Sequence, residues 1–351
     1  MGNSKASGLV RALCGLALMM TVGCGGATQE RASQEARVPE IEEIERRPFA
    51  PMVNGQPVVA GISYGPYREG QRPGGPDPSE EQILEDLRIL APRWGMIRVY
   101  GSPPPTETIL RLIRDNDIPL KVMVGAWIEP EARDGEALPE HVAQNETQVN
   151  EAIRLANAFP EIVVAVNVGN ESQVFWAAHR TEQAVLLGYL RRVRGAIEQP
   201  VTTADDYNFW NKPESHAVAA EVDFLLLHAY AMWNRQTLDD AVAWTAATVE
   251  SIAAEHPDLK IVIGETGWAT VMNPEASGDE DTQIIGEAGE EQQRVFYEGF
   301  TAWAQEAGVP YFYFEAFDEP WKGGPDPRGV EKHWGLYNVD RTPKLAIREP
   351  S

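Results

Sequence analysis

The chain has 351 residues, 43% of them hydrophobic and 9% aromatic, a composition that can close a large core and is unlike that of a disordered polymer. Its formal charge of −23 repels nucleic acid and anionic lipid, so a neutral or cationic ligand is expected and a nucleic-acid partner is not. The acidic surplus needs no explanation beyond solubility.

Taken in chain order, residues 1–23 come first: Lys5 and Arg11 precede an apolar stretch from Ala12 to Val22 that ends in Gly23-Cys24. This is the pattern of an export signal, and it is shorter than the roughly 20 apolar residues a bilayer span requires. "TVGCGG" resembles a bacterial lipoprotein box, in which cleavage leaves a lipidated cysteine, here Cys24, as the new N-terminus. Thr21 departs from the Leu such boxes usually carry, and secretion with Cys24 removed is the alternative. The expected location is a membrane surface, periplasmic or at the cell surface, held only by that lipid anchor. Cys14 lies inside the signal, so the mature chain has no pair of cysteines to join and must be held by packing. Residues 24–54 are polar and charged without sustained apolar periodicity, and are expected to be a flexible tether.

From residue 55 to 349 the pattern changes. Short apolar runs alternate with longer amphipathic segments: "PVVAGIS", "GMIRVYG", "PLKVMVGAW", "IVVAVNVGN", "PVTTAD", "VDFLLLHAY", "LKIVIGET" and "PYFYFEAF". Between them lie helical patterns such as "PSEEQILEDLRILAPRW", where Ser79 and Gln82 form a capping-box signature ahead of Ile83, Leu84, Leu87 and Leu90. Continuous apolar strands with helical crossovers require a parallel sheet covered on both faces. Eight such units without a G-x-G-x-x-G after the first strand predict a single (β/α)8 TIM barrel rather than an open doubly wound sheet. The fifth unit is the weakest, since "NKPESHAVAAE" supplies only a short helix.

In such a barrel the loops that build a site leave from the C-terminal ends of the strands. Glu171 lies just beyond the fourth run and Glu265 just beyond the seventh, so closure predicts two carboxylates facing each other across one mouth. Glycosidic bond cleavage needs that pair, one to protonate the leaving oxygen and one to attack or stabilise the oxocarbenium-like carbon. Each glutamate alone would be an ordinary solvated loop residue. Their shared placement at strand ends, each following a glycine within two residues, points to chemistry.

"VGNES", "GETGW", "GISYGPY", "IRVYGS", "EAFDEPWK" and "WGLYNVDRTPK", spread over about 58–345, resemble glycoside hydrolase family 17, the β-1,3-glucanases and β-1,3-glucanosyltransferases of clan A. The resemblance implies Glu171 as general acid/base, Glu265 as nucleophile and Asn170 as a partner of the sugar 2-hydroxyl. It further implies that Tyr64 and Tyr230 lie near the site, Tyr230 beside Glu265, and that Glu319 and Lys322 of "FDEPWK" form a pair orienting the catalytic groups. Pattern does not rank Glu315 and Asp318 against Glu319. Trp127, Trp210, Trp233 and Trp321 fall beyond strand ends and are candidates to stack on sugar rings, while Trp268 would buttress Glu265. The departure is "SQVFWAAHR" after "GNE", where relatives often carry an apolar pair and an Arg; it changes the shape of the cleft border.

The acidic stretch 273–293 lacks calcium-loop spacing, the six histidines show no paired ligand spacing, and neither a metal nor another cofactor is expected. The expected partner is a β-glucan polysaccharide or oligosaccharide, acted on by a monomer. Hydrolysis and glucanosyl transfer share every step to a covalent intermediate, and endo and exo action are both compatible with the sequence. A lipoprotein that binds glucan without cutting it is the alternative from another class.

Overall fold

The structure, a computed structural model, describes residues 44–273, 275 and 283–348. The export signal, Cys24, most of the expected tether and part of the acidic stretch lie outside the described residues. No helix among the described residues is long and apolar enough to cross a membrane.

Eight strands form in the expected order: β1 (Ala60–Ser63), β2 (Met96–Arg98), β3 (Lys121–Ala126), β4 (Val163–Asn170), β5 (Val201–Asp206), β6 (Leu225–His228), β7 (Ile261–Glu265) and β8 (Tyr311–Tyr313). Each pairs in parallel with its successor, and β8 closes on β1 through Tyr311–Ala60, Phe312–Gly61 and Tyr313–Ile62. Closure removes both sheet edges, and the apolar runs are buried because each strand has an interior and an exterior packing partner. In β6, Leu225 and Leu227 pack outward with the helices while Leu226 points inward beside Met96, Met123, Val262 and Phe312. The predicted TIM barrel is the fold.

Among the described residues eight α-helices lie in the crossovers: α1 (Glu80–Leu90), α2 (Thr106–Asp115), α3 (Pro139–Ala158), α4 (Gln183–Arg194), α5 (Tyr207–Trp210), α6 (Ser215–Ala219), α7 (Leu238–Glu255) and α8 (Glu290–Ala307). Ser79 and Gln82 exchange both capping-box hydrogen bonds at the start of α1, and Ile83, Leu87 and Leu90 bury its inner face. At the other end of the series, α8 stops at Gly308, whose φ of 64° suits a residue without Cβ. The weak fifth unit is two short helices, α5 and α6.

The expected tether boundary at residue 54 needs correction. Phe49 is buried and stacks on Phe224 with ring centroids 4.6 Å apart, covering the floor of the barrel. Arg47 fixes the approach: its backbone N–H donates to Asp223 at 2.6 Å and its guanidinium to the Gln199 carbonyl at 3.0 Å. Asp223 also accepts from Val201 N and pairs with Arg194 at 2.6 Å. Residues 44–51 have no periodicity because they form a plug and not a helix or strand, so composition alone reads them as linker.

Candidate active site

The tip of β4 sets the site. Gly169 has φ 81°, and a Cβ there would come within 2.7 Å of Ser172 Oγ. The β4–β5 register shifts between Asn167 and Asn170, and Glu171 N–H then donates to the Ala204 carbonyl at 2.8 Å. That bond helps hold Glu171 at φ 48°, a left-handed conformation costing about 1–2 kcal/mol for a residue with Cβ. Regular alternation would send Asn170 and Glu171 to opposite faces. The bulge lets both line the same cleft.

Glu265 ends β7 beneath that cleft. Its Oε1 accepts from Arg98 Nη1 at 2.9 Å and from Tyr100 OH at 2.8 Å, and its Oε2 from Tyr230 OH at 2.6 Å. Arg98 is wholly buried, donates to the Gly264 carbonyl at 2.9 Å, and engages Asn170 Oδ1 through Nη2. Asn170 therefore keeps its amide N–H groups for a ligand. His228, at the end of β6, stands between the two acids: Nδ1 lies 2.8 Å from Glu171 Oε1 and Nε2 lies 3.3 Å from Glu265 Oε1. Donor atoms of Glu171, His228 and Glu265 all fall within 4.8 Å of one another. Three such groups can hold a cation, but here a guanidinium and two phenol hydroxyls already surround Glu265, a shell that satisfies an anion.

The electrostatics separate the two glutamates. Burial opposes the charge on Glu265, yet His228, Arg98 and the hydrogen bonds of Tyr230 and Tyr100 outweigh it and hold the carboxyl below its usual range. Burial and the Glu265 charge push the hydroxyls of Tyr100 and Tyr230 far up, so both stay protonated donors. Among the described residues Glu171 has one side-chain partner, His228, and it is the more open of the two, 18% of its side chain being exposed against 7% for Glu265.

Other residues expected at the site divide. Tyr64 borders the cleft, but its hydroxyl turns away to Asp86 Oδ2 at 3.1 Å, where Arg341 pairs with Asp86 at 2.8 Å. It braces β1 against α1 and bonds neither glutamate of the pair. Lys322 lies 2.6 Å from Glu319 and 2.9 Å from Glu315, with its ammonium 4.4 Å from the centre of the Phe314 ring. Although burial works against its charge, Glu315 and Glu319 together raise the Lys322 pKa, while burial and the Glu319 charge push Glu315 well up. Gly65 makes room for this group, since a Cβ there would meet Glu319 Oε1 at 1.9 Å. Asp318 instead bonds Lys344 at 2.7 Å and Gly335 N at 3.0 Å, outside the cleft lining.

Of the tryptophans expected to stack on sugar, Trp127, Trp233 and Trp321 line the cleft, as do Trp176 and Trp334. Trp210 does not: it is fully buried against Phe209 and His256, because the residues after β5 turn at once into α5 and carry the ring down behind the barrel. Trp268 is also buried, against Phe296, and donates to the Glu287 carbonyl at 2.9 Å. Sequence reasoning passed over Arg98, Tyr100 and His228. A signal existed for Arg98, a cation inside the apolar run "GMIRVYG", since a strand buried on both faces can hold a charge only if a partner waits for it. His228 carried no such signal, because histidine is found in many cores.

The cleft measures about 1480 Å³, above the roughly 300–1,000 Å³ usual for a small-ligand pocket. The family model for the BtgE/BtgC glycoside hydrolase domain matches residues 61–335. A probable glucan endo-1,3-beta-glucosidase, btgC, of Aspergillus clavatus is 27% identical over 78% of this chain, which spans 40% of that protein's length. A glucan 1,3-beta-glucosidase of Arthroderma benhamiae is 28% identical over 78% of this chain and 87% of its own. Among solved structures, an endo-laminarinase from Formosa Hel1_33_131 superposes with a TM-score of 0.71 and 28% identity, covering 82% of this chain and 85% of its own. A β-1,3-glucanosyltransferase from Rhizomucor miehei, at TM-score 0.65 and 22% identity over 83% of this chain and 97% of its own, shares the fold.

Proposed function

This chain belongs to the BtgE/BtgC glycoside hydrolase family, and from that membership we propose that it cleaves β-1,3-glucan with retention of configuration. The observation that carries the reading is the approach of Glu171 and Glu265, with ligand oxygens within 4.8 Å, near the separation of about 5–5.5 Å typical of retaining enzymes and below the 6.5–9.5 Å that leaves room for water in inverting ones.

Glu265 is the nucleophile. Arg98 and Tyr100 occupy both lone pairs of Oε1, whereas among the described residues Oε2 accepts only from Tyr230 and keeps a lone pair for the sugar C1. As the C1–Oε2 bond forms and the C1–O glycosidic bond breaks, Glu171 gives its proton to the departing oxygen. Water then attacks C1 from the vacated side, returning one proton to Glu171 and the electron pair of the ester bond to Glu265. Arg98 and the two tyrosines are already in place for the carboxylate that leaves, so little reorganisation accompanies either step. The amide of Asn170, with its carbonyl oxygen committed to Arg98, presents donors to a sugar hydroxyl.

Proton NMR of the first product released from laminarin tests the reading, with cellulose, lichenan and mannan alongside. The β-anomer is expected first and from β-1,3-linked substrates; an initial α-anomer overturns retention. Sizing the same products separates hydrolysis from transfer, because only transfer makes chains longer than the substrate.

A further inference from the structure

On the β8 side of the mouth, a buried charge takes no part in the chemistry above. Lys332 ends the short 3-10 helix Val330–Lys332 and is only 5% exposed. An ammonium has three N–H donors and no acceptor, and taking it out of water is costly unless all three find partners. Here they do. Nζ donates to the carbonyl of Pro320 at 3.1 Å, to that of Gly324 at 2.7 Å and to that of Lys322. Alternate residues of one short loop, 320–324, thus turn their carbonyls onto the same cation. Carbonyl dipoles converging on one point repel each other, so the arrangement is stable only around a positive charge. The backbone is built for it: Gly323 and Gly324 both take left-handed φ, 60° and 74°, and a Cβ on Gly323 would come within 2.7 Å of Glu331 Cβ.

What this loop carries borders the cleft. Trp321 lies between the first two of the carbonyls, lines the cleft and meets the Tyr67 ring edge-on at 6.1 Å. Lys322 is fixed at both ends, its carbonyl by Lys332 and its own ammonium by Glu315 and Glu319. Glu319 N–H in turn donates to the Lys332 carbonyl at 3.2 Å. Lys332 therefore ties down the backbone that delivers Glu319, Trp321 and Lys322 to the mouth, while standing outside the cleft lining itself.

We propose that Lys332 is a positioning residue, the built-in cation of a carbonyl cage that shapes the β8 wall of the cleft, and that emptying the cage makes it a site for a free monovalent cation. Alkylammonium and potassium ions are the class it would take, since carbonyl oxygens can replace the hydration shell of a cation of that size. The effect on glucan turnover rests on the glycosidase reading above; the cage does not.

Two variants test it on laminarin. Lys332→Ala removes the side chain beyond Cβ, and added n-propylammonium supplies the missing atoms. Lys332→Met removes the charge and fills the space. Both should raise KM roughly 5- to 50-fold, the cost of leaving buried carbonyls unpaired. The loss should fall less on kcat, because Glu171 and Glu265 take their hydrogen bonds from other elements. With n-propylammonium chloride, KM of Lys332→Ala should return saturably to within about 3-fold of the parent and its melting temperature should rise by about 1–3 °C. Potassium should do the same in part. The parent and Lys332→Met should respond no more than they do to sodium chloride. Equal rescue by n-propanol would show that lost volume and not charge is at issue, and equal responses of all three proteins would show a bulk salt effect; either overturns the cage. A KM of Lys332→Met equal to the parent's overturns the positioning role. If Lys332→Ala is insoluble, refolding with the amine but not with n-propanol counts for the cage, and refolding with neither counts against it. A parent that does not cut laminarin defeats the glycosidase reading, and the melting temperatures then still decide the cage.

Discussion

The two ends of this barrel are made by the same eight strands and differ in every physical respect. At the floor, Phe49 closes over Phe224, Met96, Leu226 and Val262, an apolar layer whose only task is to exclude water. At the mouth, the last residues of the strands and those just beyond them are Arg98, Glu171, Asp205, Asp206, His228 and Glu265, most of them buried and all bonded to one another or to the backbone. A charge costs several kcal/mol to desolvate, so the mouth is stable only as a complete network, whereas the floor is stable residue by residue. One strand thus carries apolar packing at its start and a bonded polar network at its end, a few residues apart.

Three substitutions would break or sharpen that contrast. The largest effect belongs to Glu265→Gln, which leaves the hydrogen-bonded outline of the mouth in place but removes the attacking charge: laminarin hydrolysis should fall by ~10⁴-fold or more. Isothermal titration with laminarioligosaccharides should still register binding by the same variant. Activity near the parent's would mean that the mouth does not work through this carboxylate. Next comes Phe49→Ala at the floor, which should lower unfolding free energy in urea by about 3–5 kcal/mol while kcat of the folded enzyme stays unchanged. A drop in kcat without loss of stability would show that the two ends are coupled, contrary to the division drawn above.

The smallest effect concerns pH and belongs to Asp206. Its native pKa is raised to about 6 from an unfolded value near 3.9, so across that window the native chain binds the extra proton and stability declines as pH rises. Asp206→Asn removes this slope: relative to the parent, its melting temperature should climb between about pH 4 and pH 6 and level off above. A constant difference across the range would contradict the buried, charge-opposed setting of this carboxylate. Glu265 works with the opposite sign. Its folded pKa is lowered, so its contribution is present above the unfolded value and is lost as pH falls through the folded one.

How much could be read beforehand varies with the kind of interaction. All eight strands and the closed barrel were visible, because a parallel strand buried on both faces must be a continuous apolar run and helical crossovers must be amphipathic. Glu171 and Glu265 stood out because a barrel gathers its strand ends into one mouth wherever they lie in sequence. Tyr64 and Trp210 were different: each lies beyond a strand end, yet the Tyr64 hydroxyl turns to Asp86 and the Trp210 ring is swallowed behind α5, and a side chain's direction is set by neighbours that no linear pattern names. Phe49 was hidden for a related reason, since a plug has no period.

Alternation of apolar and amphipathic segments is a local property, and it alone determined the barrel, the order of its strands and the two acids at its rim. Tertiary structure decided what surrounds those acids. It brought His228 between them, turned Arg98, Tyr100 and Tyr230 onto Glu265, and set Asp206 in the same cleft as Glu171. Hydrogen bonds and charge shifts depend on distances of a few ångströms between residues far apart in the chain, and those distances exist only after the barrel has closed.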